Sequence, residues 1–133
     1  MNVMSYFSDL PKQLIIFLLI YAFSLSGAFY NHVSDIIKFG FLPYHQVPLW
    51  LNIYWTSLTF IEPIAIIAIV LKKNIGIYLC MAIIVSDVII NFFSTLVYFG
   101  GLRQLFDFRF ICQVVFMAFV LSTYKDLLKR TAK

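Results

Sequence analysis

Two acids stand out by position. Glu62 and Asp87 each fall near the middle of a long apolar stretch. A carboxylate at bilayer depth costs roughly 3 kcal/mol on insertion scales, and ionisable groups held that deep mark a functional site by default. A pair of carboxylates in one pocket can face a cationic group, or pass a proton to and from a guest. Their neighbours support a shared pocket. Asn52, Trp55, Thr59 and Glu62 recur at three- and four-residue steps, as do Asp87, Asn91, Ser94 and Tyr98, so each set lies on one helix face. Arg109 and Gln113 are one turn apart, and Tyr21, Ser24 and Ala28 have the same spacing. Each apolar stretch thus carries one polar or small stripe, and the stripes are expected to point inward.

Depth follows from the rise of a helix, about 1.5 Å per residue. Counted from Lys72, Glu62 lies about 15 Å and Thr59 about 20 Å into the span; Asp87 lies about 18 Å from Ile75, and Gln113 about 18 Å from Lys125. Four polar side chains from three helices therefore fall near one level, with Trp55, Asn91 and Arg109 further out. The expected ligand-binding set is Glu62, Asp87, Asn91, Gln113, Trp55, Thr59 and Arg109, with Trp55 as an aromatic wall for a cation. Pro63 leaves the Thr59 carbonyl without its usual donor, beside Glu62. The plainer alternative makes the acids protonated glue, hydrogen-bonded to Asn91 and Gln113 at ~0.6 kcal/mol per contact. Ser, Thr, Asn or Gln ordinarily do that work, which favours a site.

Other chemistry finds no support. GxSxG, HExxH and a phosphate-cradling glycine loop are missing, so no catalytic residues are assigned. No metal ligands and no cofactor are expected: His32 and His45 fall in the first connection without partners at metal spacing. Cys80 and Cys112 lie in apolar runs, without CxxC spacing, and read as buried structural thiols. The net charge of +4 is scattered over segment ends. No basic stripe with stacking aromatics occurs, so a nucleic-acid partner is not expected.

The elements that must position these residues follow from composition. Of 133 residues, 62% are hydrophobic and 12% charged, against about half and a quarter for soluble domains. The excess apolar surface calls for lipid. Four stretches, about 13–30, 50–71, 75–99 and 108–124, approach the ~20 residues that cross a ~30 Å hydrocarbon core, and in lipid they must be helical. The first stretch also has the layout of a leader, with small residues at Ser24–Gly27; it is read as a spanning helix. The expected fold is all-α, a single integral domain of four transmembrane helices. Lys72-Lys73-Asn74 forms a tight turn, and Gly100-Gly101 ends the third helix. The first connection, 31–48, is expected to hold a short interfacial helix capped by Ser34 or Asp35. Lys12, Lys72, Lys73, Lys125, Lys129, Arg130 and Lys133 lie on one side; Lys38, Arg103 and Arg109 lie on the other. Seven against three places both termini in the cytoplasm, with a bacterial inner membrane as the expected location.

Trp50 opening the second helix, Glu62-Pro63 within it and a polar third helix resemble the EXPERA-type proteins, the group containing sterol isomerases and sigma-type receptors. The similarity spans helices two to four. The acidic first loop and an Asn-Trp pair on the last helix are missing. The resemblance implies a pocket for a hydrophobic amine or sterol-like ligand, with Glu62 and Asp87 facing the cation. Glu62-Pro63, Ser86-Asp87 and Asn91 also resemble small bacterial membrane proteins without an assigned role. Three functions are thus expected, in order. The first is binding of a hydrophobic or cationic small molecule, or of a membrane lipid. The second is a membrane-protein partner or homodimer, through Ser24, Gly27 and Ala28. The third is an isomerase using Glu62 or Asp87 as proton shuttle.

Overall fold

The computed structural model describes residues 10–71 and 74–131. Four α-helices account for nearly all of them: α1 (Lys12–Phe39), α2 (Leu49–Val70), α3 (Asn74–Tyr98) and α4 (Phe108–Thr131). A short 3-10 segment, Gly101–Phe106, joins the last two. All four α-helices are long and apolar enough to cross a membrane. Large apolar side chains such as Phe23, Ile37 and Phe108 point outward, a surface that needs an apolar neighbour. Lys72 and Lys73 of the expected tight turn lie outside the described residues.

Proline sets two of the helix starts. Pro11 and Pro48 precede α1 and α2 with φ of −53° and −56°, at positions where a missing N–H leaves no helical bond unmade. The end of α1 departs from expectation. No separate interfacial helix forms, and neither Ser34 nor Asp35 is a cap, because α1 continues without a break to Phe39. Polar residues do not stop a helix by themselves, and nothing between Tyr30 and Phe39 is a breaker. Gly40 is one. Its φ of 85° is a left-handed conformation that suits glycine, and its N–H donates to the Ile36 carbonyl at 2.9 Å. The last helix also outruns the expected Tyr124, reaching Thr131.

Packing follows chain order. Helix α1 lies on α2, α2 on α3 and α3 on α4, while the α1–α4 seam that closes the ring is the thinnest. Its bonds gather at one end. The Tyr21 hydroxyl donates to the Val120 carbonyl (3.1 Å) and shares a hydrogen bond with Thr123 (3.0 Å). Phe17 meets Phe119 edge-on at 5.4 Å. Beyond Tyr21, towards Gly40, no side-chain hydrogen bond joins the two helices among the described residues.

The tightest approach is between α2 and α3. A Cβ on Gly76 would lie 2.5 Å from the Ile69 nitrogen and 2.8 Å from the Ala68 carbonyl carbon. Those are backbone atoms, which cannot swing aside. Gly76→Ala is therefore expected to destabilise the bundle by about 1–3 kcal/mol, read as a lowered midpoint of thermal unfolding in detergent. An unchanged midpoint would show that the helices do not meet this closely.

Candidate functional site

Beyond the Tyr21 contacts, the diverging helices enclose a cavity of about 710 Å³. Its floor and rim differ in kind. Trp55 and Glu62 of α2, with Ile83, Ile84 and Asp87 of α3, are buried lining residues. The exposed lining residues sit on α1 (Phe23, Gly27, Asn31), on α4 (Phe108, Arg109, Cys112) and, with Gln46, in the loop before α2. The cavity thus opens through the thin seam, with both acids at its base.

A chain of amides orders that base. The Trp55 indole N–H donates to Asn91 Oδ1 (2.9 Å), Asn91 Nδ2 donates to Gln113 Oε1 (3.0 Å), and Gln113 Nε2 donates to Asp87 Oδ2 (2.9 Å). Three helices are joined, and every amide faces a partner of the right kind. The acids are left half satisfied. Asp87 Oδ1 and Glu62 Oε2 are buried with no hydrogen-bond partner, as is Thr59 Oγ1. Buried acceptors in that state are uncommon and call for an explanation. Glu62 and Asp87 line the cavity, and Thr59 does not; its place in the expected ligand set is corrected to a buried position within α2. The helix itself runs unbroken through Pro63. Arg109 sits at the rim, exposed, with its backbone N–H on Asp107 Oδ1 at 2.8 Å. Of the two cysteines, Cys80 is buried, but Cys112 is exposed at the rim instead of buried as expected.

Four further residues belong to the site. His32 does not lie in a loop but on α1, and its Nε2 stands 3.8 Å from Glu62 Oε1. Its Nδ1 hydrogen-bonds the Tyr44 hydroxyl at 3.0 Å, and that hydroxyl donates to Asp35 Oδ2 at 3.0 Å. Burial, then the hydrogen bond and charge of Asp35, push the Tyr44 phenol up from its ordinary pKa, so it stays a hydroxyl. Asn52 fixes the loop that carries Tyr44. Its Nδ2 donates to the Leu42 carbonyl (3.0 Å), and its Oδ1 accepts the Tyr44 N–H (3.2 Å). Leu42 has a φ of 61°, rare for a branched side chain. The Tyr44 ring packs edge-on against Trp55 at 5.1 Å. A signal for His32 and Asp35 was present: they continue the inward stripe of Tyr21, Ser24 and Ala28 at helical spacing.

Among the described residues, no group of three His, Cys, Asp or Glu side chains is placed to hold a metal ion. No family model, curated protein or solved structure matches this chain.

Asn91 holds the amide chain together, so Asn91→Leu leaves the Trp55 N–H and the Gln113 carbonyl unpaired. The expected cost is about 1–2 kcal/mol in apolar surroundings. With the exposed Trp50 changed to Phe, Trp55 emission reports the change: a blue shift and a lower unfolding midpoint are expected. Unaltered emission and midpoint would mean that the indole N–H is not bonded there.

Proposed function

We propose that this chain is an integral membrane protein that binds a hydrophobic, cationic small molecule or lipid in the cavity between α1 and α4. One observation carries the reading: two buried carboxylates, each with an oxygen lacking a partner, lie in a cavity of about 710 Å³. That volume falls within the range of small-molecule sites. Exposed apolar side chains such as Phe23 and Phe108 at the rim suit a guest arriving from acyl chains, and Trp55 and Tyr44 offer aromatic faces to a cation. The resemblance to EXPERA-type proteins implies the same ligand class.

The surplus of Lys and Arg around Lys12 and Lys125 puts both termini on the cytoplasmic side, with the cavity mouth towards the outer leaflet. A bacterial inner membrane is the proposed location. The reading as an interaction protein is less favoured, since the small residues that would carry it, Ser24, Gly27 and Ala28, line this cavity. An isomerase role would need the same acids, and none of the described contacts orders them for proton transfer to a substrate carbon.

Tetraphenylphosphonium, a lipophilic cation, tests the proposal on protein held in lipid nanodiscs. Glu62→Gln and Asp87→Asn are each expected to weaken its binding at least about tenfold, the ~1.4 kcal/mol that a lost ionic contact removes. A Cβ on Gly27 meets nothing within 4 Å, so Gly27→Trp is expected to fold, fill the cavity and abolish binding, while Gly27→Ala binds normally. Equal binding by all four variants and the parent chain would sink the proposal.

A further inference from the structure

The hydrogen bonds around Tyr44 determine which ring nitrogen of His32 carries a proton. A phenol has one hydrogen to give, and that of Tyr44 goes to Asp35 Oδ2. The His32 Nδ1 at 3.0 Å must therefore be the donor to the Tyr44 oxygen. This leaves Nε2, 3.8 Å from Glu62 Oε1, as the nitrogen that either carries a second proton or presents a lone pair. A proton on Nε2 faces an ionised Glu62; a proton on Glu62 faces a bare Nε2. These are the two arrangements of a pair that holds one proton, and groups this close titrate as a unit.

The surroundings keep that proton local. Asp35, on the same helix, is engaged by Tyr44 from the loop. From α3, Asp87 has one oxygen bound to Gln113 and one buried without a hydrogen-bond partner. From α4, the exposed Arg109 and the Cys112 thiol lie at the rim. Among these groups, only the Glu62 and His32 side chains come within ion-pair distance, at 3.8 Å. A guest cation that docks on Glu62 adds one positive charge to a region where unbalanced charge is expensive. Loss of the shared proton restores the balance.

We propose that His32 and Glu62 hold one exchangeable proton, displaced to bulk water when an organic cation docks on Glu62, so that the cavity exchanges cation for proton. This rests on the ligand reading above and specifies its regulation: binding strengthens as pH rises. The exchange is balanced, one cation bound for one proton released, with no other bond made or broken.

The test again uses tetraphenylphosphonium with the full chain in nanodiscs, by calorimetry in two buffers of different ionisation enthalpy over a range of pH. About one proton should leave per cation bound, and affinity should rise about tenfold per pH unit where the free protein holds that proton and the complex does not, levelling off at higher pH. His32→Gln should still bind but show its proton release and pH slope in a different pH range, because Glu62 then titrates without the imidazole. Tyr44→Phe should shift that range too, because Nδ1 is no longer held as donor. His45→Gln, a change in an exposed loop residue, should match the parent. Nitrogen-15 spectra of histidine-labelled parent protein, without ligand, should show His32 protonated at Nδ1. Binding by the parent with no proton release, an unchanged pH profile in His32→Gln, or a neutral His32 protonated only at Nε2 would each overturn the exchange while leaving the ligand site intact. No binding by the parent would sink the ligand reading, and the exchange with it.

Discussion

Inside a bundle surrounded by apolar side chains, a polar group has no water to turn to. That constraint organises the structure. Asn52, Asn91 and Gln113 each use their amides in more than one direction. Apart from the bond that Asn52 Oδ1 accepts from the Thr56 hydroxyl within α2 (3.4 Å), every bond they make crosses between elements. The Tyr21 hydroxyl does the same between α1 and α4. Polar side chains therefore set the register of the helices, while apolar ones supply bulk. Against that background, the unpaired oxygens of Glu62 and Asp87 mark the one lining surface where the pattern is incomplete among the described residues.

Much of this was legible in the sequence. Helix number and the limits of α2 and α3 followed from the lengths of the apolar runs. Three- and four-residue spacing gave the inward face of α2 and that of α3 as far as Ser94, whereas Tyr98, expected on the same face, is exposed near the helix end. Trp55, Asp87, Asn91 and Gln113 do lie together. Spacing along one helix cannot say, however, which residue on a shared face turns to the cavity and which to a neighbour. Thr59 and Glu62 are less than one turn apart, yet only Glu62 lines the cavity. Asn52, on that same face, serves the loop instead.

The largest loss came from the first connection. Ending α1 near Tyr30 turned His32 and Asp35 into loop residues and so removed them from consideration. Polarity suggested the boundary, whereas backbone conformation decides it: the chain leaves helical geometry at Gly40, where φ becomes positive. The extra turns carry the imidazole to Glu62. Cys112 erred for a related reason. An apolar neighbourhood in sequence implies burial only where another helix covers it, and the α1–α4 seam is uncovered at that level.

Leu42 has a wider meaning. Its left-handed backbone costs roughly 1–2 kcal/mol, and the two amide bonds of Asn52 hold it there. The Gly40–Pro48 segment is consequently shaped by the fold itself, with the Tyr44 hydroxyl held on Asp35 and His32. If a guest binds as proposed, no loop need be ordered at this wall, so little conformational freedom would be forfeited at the moment of contact. Specificity there would come from a rigid mould, not from closure around the guest.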